Sequence, residues 1–576
     1  MLAILICLLA MLLTACGSSS ASGPVSKVKA PLPQQVYRYG DVATDISTFD
    51  PAQATDQPSL EAISMAFTGL VQLDDNLQVQ PQLAQSYDVS ADGLTYTFHL
   101  RPDLEFSDGT PLNANDVAYS IDRALSPSIS ALNGVTLTYL GQIKGAAERV
   151  NGSVSTLIGS SINVIDNNTI QLVISAKTAY FLEALTYPTS FVVEKKVIDQ
   201  WGTKWTDHLS DSGGQGGDGP FKVQSYDHST GIVFVPNSHY YGPQPQLQEV
   251  SFDFYKTAQS AYQAYLANQV DYVNQVPPEQ LASAEALPNN QYYHSSQLAI
   301  DYIAMNYLYK PFDNIHIREA FELAINKDLI ADHIYNGTRT ATCHIVPEGM
   351  PGYDPDLECP DHAPTQGDAT KAQALFQQGL KEEGLTLAKF PKITITYRSN
   401  NTTLDNQITT MRQEWQQVLG VNVQTQVIDF IPLLKAESNT VCTTPNDLQK
   451  CRNKGLQMWA AAWGADYPDP QDWITLQFAQ GAPNNQWNYG QNLTSAASEQ
   501  RQEQQEMLQA DVEQNQVSRQ AIYNQIEQKL VNDVAWMPMF QRNISIVLKP
   551  YIWGQVFNAQ MLTPPNDWSN IYISVH

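Results

Sequence analysis

Residues 393–427 constrain the fold more than any other stretch of the chain. Ile393, Ile395 and Tyr397 alternate as one face of a strand. Ile408, Met411, Trp415, Val418 and Leu419 then recur at helical spacing and stop at Gly420, and Val421, Val423 and Val427 alternate again. A period of two, then 3.6, then two is the pattern of strand, helix, strand. A unit of that length closes as a right-handed crossover between parallel strands, which requires an α/β layer. Ligands in such sheets sit beyond the carboxyl ends of the strands. Residues 458–473 (MWAAAWGADYPDPQDW) supply a candidate for such an end. An apolar run long enough for a buried strand breaks at Gly464 and sets Asp466 beside Trp463 and Tyr467, ahead of Pro468 and Pro470. A carboxylate there is costly to desolvate unless a cation or hydrogen-bond donors meet it. Asp466 either caps the following turn or waits at the mouth of a strand for a cation from outside.

The chain is also long and acidic. Its 576 residues can bury several cores, and acidic residues outnumber basic ones 58 to 32, for a formal charge of −26. Phosphate binding needs a basic face, so a nucleic-acid partner is excluded. The acidity is spread along the chain and reads as solubility. Enzyme motifs are missing. Residues 213–219 (GGQGGDG) lack the Lys-Ser/Thr and the following helix of a phosphate loop, and read as a hinge-side loop. No serine sits in a G-x-S-x-G elbow. Asp466 and Asp469 would serve a glycosidase only at a set separation across a cleft. No cofactor is indicated.

Residues 2–13 are apolar, too short to span a bilayer and the right size for the core of a signal peptide. They end in Leu13-Thr14-Ala15-Cys16-Gly17, which resembles the lipobox of a bacterial lipoprotein, with Cys16 as the acylated mature N-terminus. No basic residue precedes the apolar run, which points to a start upstream of Met1. Residues 17–36, rich in Ser, Gly, Ala and Pro, then read as a flexible tether. Setting aside Cys7 and Cys16, four cysteines remain. Cys343–Cys359 and Cys442–Cys451 are the most local of the three disulfide connectivities. A zinc site using His344 and His362 is the alternative, although the C-x-x-C spacing is absent.

In order, Val36 to Tyr39 reads as a short strand and residues 60–70 as a helix with Ile63, Phe67 and Leu70 on one face. Between them lies a loop with Thr55, Asp56 and Gln57. Ser86 to Val89 and Thr95 to Leu100 flank Ala91-Asp92-Gly93 as a hairpin. Asn113 caps a helix carrying Val117, Ile121, Ala124 and Leu125. Residues 498–533 are rich in Gln and Glu yet keep a helical period, with Ile522, Ile526 and Leu530 inward.

Several of these segments together resemble one family. LAQSY (83–87), DGLTYTFHLR (92–101), FSDGTPL (106–112) and DVAYS (116–120) closely match the signature of extracellular solute-binding proteins of the peptide/nickel ABC-importer family. That density of matches is specific, unlike a lone short motif. The resemblance continues through GDGPFKV (217–223), NSHYYG (237–242), NQVDY (268–272), PFDNIHIREA (311–320) and VPEGMPG (346–352), and is strongest at WGADYPDP (463–470).

The resemblance implies an α/β fold of two lobes facing a cleft, like a periplasmic binding protein, with an extra N-terminal subdomain. Lobe I is expected to hold 37–82, 216–305 and 546–576, the subdomain 83–215, and lobe II 306–545. It implies an oligopeptide ligand delivered to the transmembrane subunits of an ABC permease. The protein would act as a monomer without catalysis, lipid-anchored on the outer face of the cytoplasmic membrane. Dipeptides, nickel chelates and oligosaccharides are the alternatives within the family, and a secreted hydrolase the alternative outside it. By position, Asp466 would hold the ligand's α-ammonium, and Trp463 and Tyr467 would stand beside it. Asn274 and Gln275, Tyr302 and Asn306, and Thr55, Asp56 and Gln57 would contribute from the cleft edges.

Overall fold

The computed structural model describes residues 26–133, 136–442, 447–482, 484–494, 496–556 and 559–576; the apolar leader, Cys7, Cys16 and the start of the tether lie outside the described residues. The 393–427 pattern folds as its periods require. Ile393–Arg398 and Val423–Ile428 pair in parallel, from Ile393 opposite Val423 to Arg398 opposite Ile428, joined by helix Thr402–Leu419. The buried face of that helix carries Ile408, Met411, Trp415 and Leu419, and the Trp415 indole donates to the Phe321 carbonyl at 2.9 Å. Gly420 ends the helix at φ 73°, a left-handed conformation that glycine adopts without penalty.

This unit is one end of an eleven-stranded sheet. From that end the order is Val423–Ile428, Ile393–Arg398, Met458–Gly464, Tyr292–Met305, Met537–Leu548, Tyr272–Val273, Val36–Asp41, Glu249–Phe254, Gly231–Pro236 and Phe221–Asp227. Arg339–Ala341 pairs with Met537–Leu548 off this path. The first three strands come from the segment expected as lobe II and the last five from the segments expected as lobe I. Tyr292–Met305 and Met537–Leu548 lie between them. Their antiparallel ladder runs from Tyr292 opposite Val547 to Ser296 opposite Asn543, slips, and resumes at Ile300 opposite Gln541. On one side of the slip, Val547 and Leu548 pair with the lobe I strand Tyr272–Val273. On the other, Ala299 through Met305 pair with Met458–Gly464 of lobe II. The pairing partners therefore change from one half of the sheet to the other near residues 297–300. A bulge bends a strand and sharpens its twist, which suits a crossing point. The Gln541 amide donates to the Gln297 carbonyl inside the slip at 3.2 Å. Next to it Asp301 takes hydrogen bonds from Arg339 and Arg542. Burial would raise its pKa, but the two guanidiniums overcome that and hold it at about 2.

The extra subdomain has a four-stranded antiparallel sheet, in the order Ala84–Val89, Thr95–Leu100, Thr169–Val173, Ile162–Asp166. The expected hairpin turns at Gly93, φ 71°. Helix Ala114–Ala124 starts with a full capping box, in which Asp116 accepts the Asn113 amide at 2.9 Å. Phe98, Leu100, Val117, Ile121 and Leu172 fill a core of its own.

Three expectations need correction. The helix expected over 60–70 is Gln57–Ala66, because Asp56 caps its start and the glycine loop ends it. The amides of Asp218 and Gly219 donate to the Ala66 carbonyl, and Asp218 takes the Thr68 amide at 2.8 Å. A Cβ on Gly217 would lie 2.1 Å from the Ala66 oxygen, so that close approach requires glycine. The stretch 498–533 is two helices, Ala497–Val512 and Gln516–Asn532, with Asn515 capping the second. Ala30 and Gln35, expected in the tether, are buried, while 31–34 between them stay exposed. The Ala30 amide donates to the Ile573 carbonyl at 2.8 Å, and the buried Gln35 amide bonds both ends of residue 573. The cysteines pair as Cys343–Cys359 and Cys442–Cys451, which leaves no free thiolate among them for zinc.

Candidate functional site

The carboxyl end of Met458–Gly464 meets lobe I and the extra subdomain. The Asp466 carboxylate accepts the Tyr139 hydroxyl of the subdomain at 2.5 Å. Its backbone amide donates to Asp472 Oδ2 at 3.0 Å, and the Trp463 indole donates to the same oxygen at 3.4 Å. Gln560 of lobe I donates its amide to the carbonyls of Ala465 and Asp466, at 2.9 and 3.1 Å. These contacts join the two lobes and the subdomain at the end of this strand. Tyr467 is wholly buried within the core of lobe I, beside the rings of Tyr139 and Tyr180. Its hydroxyl bonds Gln471 of its own loop, so it acts as a plug between the lobes. The turn cap at this loop is Asp469, which accepts the Gln471 amide at 2.9 Å; that duty does not fall to Asp466.

Asp466 keeps partial contact with solvent although protein surrounds it. Burial pushes its pKa up, and the Tyr139 hydrogen bond offsets only part of that. Among the described residues it meets a neutral hydroxyl and no cation. Asp472 is driven further up by burial and by Asp466. Ile393–Arg398 runs parallel to Met458–Gly464, with Ile395 opposite Met458, so both strands end at the same side of the sheet. At the end of the neighbouring strand stands Arg398, exposed to solvent while deep among protein atoms. Its guanidinium makes no hydrogen bond or ion pair with a described residue. Burial and the charges of Arg542 and Arg339 lower its pKa, despite the opposing pull of Asp301. Asp466 and Arg398 thus stand at the ends of neighbouring parallel strands on one side of the sheet.

The expected site residues divide into groups. Asp466, Trp463 and Tyr467 meet at the lobe boundary. Gln57 joins them indirectly, since its amide donates to the Gln560 carbonyl at 3.3 Å. Thr55 and Gln275 are exposed, and Asn274 is half-buried, tying Asp41 to Val42 in lobe I. Asp56 accepts from the Ser59 amide and the hydroxyls of Ser47 and Ser59, as the cap of helix Gln57–Ala66. Asn306 is likewise occupied. Its amide donates to the Lys454 and Leu456 carbonyls, and its oxygen accepts from Leu308 and Asn488. Tyr302 is 5% exposed and stacks on Trp536 at 3.8 Å, inside the core of lobe II. Asp56, Asn306 and Tyr302 thus each have intramolecular partners that position them. Tyr139, Asp472, Gln560 and Arg398 were not legible as site residues, since three of them come from other segments. Asp472 alone had a signal, as a further acid in the loop after Gly464.

Comparison with known proteins agrees with this geometry. The pattern of the bacterial extracellular solute-binding proteins, family 5 (Middle), matches residues 78–485. The oligopeptide-binding protein OppA of Bacillus subtilis is 26% identical over 77% of this chain and 78% of its own. The Escherichia coli murein tripeptide-binding protein MppA superposes with a TM-score of 0.79 at 21% identity, over 96% of this chain and 100% of its own. For an unliganded open form of MppA the TM-score is 0.64, at 22% identity over 96% and 99%. Haemophilus influenzae OppA in complex with RPPGFSPFR gives 0.78 at 20% identity, over 96% and 100%. The chain belongs to the bacterial extracellular solute-binding proteins of family 5.

Proposed function

We propose that this chain captures peptides with a free α-ammonium between its two lobes and presents them, chemically unchanged, to the membrane subunits of an ABC importer. The observation that carries this reading is Asp466, a desolvated acid at the lobe boundary with a hydroxyl for company and no cation. A ligand ammonium would supply that cation through a charge-assisted hydrogen bond. Relatives support the choice of ligand, since OppA and MppA are named for oligopeptide and murein tripeptide.

An extended peptide carries unpaired backbone donors and acceptors, so a cleft can take it as an added strand whatever its side chains. Water bridging the remaining gaps costs little, which leaves side-chain preference broad. Arg398, at the same end of the sheet, suits the carboxylate of a short peptide. Closure around the ligand is the state a permease would read. Cys16 would carry the lipid that holds the protein at the outer face of the cytoplasmic membrane, and the protein would work as a monomer.

Calorimetry with a short peptide and its N-acetylated form tests the reading. Binding of the free peptide and loss of affinity on acetylation are expected. Equal affinities would remove the ammonium role from Asp466.

A further inference from the structure

Glu183 lies in the short helix Phe181–Ala184 of the extra subdomain, turned toward lobe II. The charged groups facing it are Asp469, on the loop after Met458–Gly464, and Arg519, on helix Gln516–Asn532. Asp511, on helix Ala497–Val512, lies near enough to act on Tyr180, and Tyr96 faces Glu183 from within the subdomain. Arg519 is already committed. Two of its nitrogens each donate to Asp469 at 2.7 Å, and its Nε donates to the Ala510 carbonyl at 3.1 Å. Glu183 Oε2 is buried and has no hydrogen-bond partner among the described residues. An ionised carboxylate there has lost the hydration of one oxygen and feels a second acid, whereas the neutral form loses less. Parting the lobes would return it to water.

We propose that closing the lobes takes up one proton from solvent onto Glu183, forming an O–H bond at Oε2, so that ligand capture strengthens as pH falls. The ligand in this proposal rests on the peptide reading above, but the proton does not. In the closed arrangement burial raises the Glu183 pKa from 4.5 to about 7, with Asp469 adding to the rise and its own amide and Arg519 opposing it. The closed state therefore holds the proton more tightly than the open one. Closure gains as pH falls from about 7 toward 4.5 and gains nothing more outside that window.

The test is titration calorimetry with trialanine between about pH 5 and pH 7, where the peptide's ammonium stays charged. Linkage predicts binding about 40-fold tighter at pH 5 than at pH 7. Near pH 6, heats in buffers of different ionisation enthalpy should report about one proton taken up per peptide. Glu183→Gln should show no slope and bind at pH 7 about 4-fold tighter than the wild type does at pH 5. A flat wild-type profile, or an unchanged slope in Glu183→Gln, overturns the proposal. If trialanine binds at neither pH, the peptide reading fails, and small-angle scattering of the ligand-free protein still decides the proton. Its radius of gyration should shrink between pH 7 and pH 5, and shrink less in Glu183→Gln. Equal shrinkage in both, or none in the wild type, rejects proton uptake at Glu183.

Discussion

Tyr139 and Asp466 lie 327 residues apart and meet across 2.5 Å, hydroxyl to carboxylate, where the extra subdomain touches lobe II. The contact places a neutral donor on the acid that the proposed ligand would claim with a charged one. It also joins the subdomain to lobe II beside the contacts of Gln560 and Tyr467.

Replacing Asp466 with Ala should weaken binding of free-amino peptides by about 2–5 kcal/mol, as for loss of one partner of a buried charged pair. N-acetylated peptides, which lack the charge, should bind both proteins alike. Calorimetry measures both, and a uniform loss across the two peptide forms would show damage to the cleft in place of a lost anchor.

Tyr139→Phe should shift the ligand-free protein toward open forms. Without the hydroxyl, Asp466 loses its carboxylate donor, a cost of about 1–3 kcal/mol for a buried polar group. Small-angle scattering of the ligand-free variant should give a larger radius of gyration than the wild type. An unchanged radius would mean that the remaining contacts, Gln560 and the Tyr467 plug, hold the lobes alone.

Arg398→Gln should weaken binding of tripeptides with a free carboxylate by about 1.5–3 kcal/mol, the range for a hydrogen bond to a charged group. Carboxamide tripeptides should lose little. If both lose equally, the guanidinium serves the fold and not the ligand.

Removing Cys343–Cys359 by paired Ala substitutions should destabilise lobe II by about 3 kcal/mol, from the 16-residue separation that the bond closes. Urea unfolding of the variant, compared with the wild type under oxidising conditions, reads this directly. A midpoint unmoved by the substitutions would show that the unfolded chain gains no freedom there.

The layout of the sheet was legible where periodicity is strong, as at Ile393, Ile395 and Tyr397, because alternation and helical spacing are local. Asp466 was legible for a related reason: an apolar run that ends at a glycine and an acid marks a strand mouth. Its partners were not, since nothing near Tyr139 or Gln560 in the chain signals a residue on the far lobe. Asn306 and Tyr302 drew the reading they did because an amide or a phenol beside a strand looks alike whether it meets a ligand or a neighbouring loop. Asn306 spends its amide on the Lys454 and Leu456 carbonyls, and Tyr302 stacks on Trp536. The end of helix Gln57–Ala66 was set by a glycine loop some 150 residues away, beyond the reach of any local pattern.

The slipped ladder between Tyr292–Met305 and Met537–Leu548 carries one further implication. Because the two strands that join the halves lie side by side and bond to each other, they leave little room for independent swivels and favour a single rotation about their shared axis. Substitutions around Gln297 and Gln541 should then retune opening for every cargo at once, whereas changes in the walls should sort cargoes without altering that rotation.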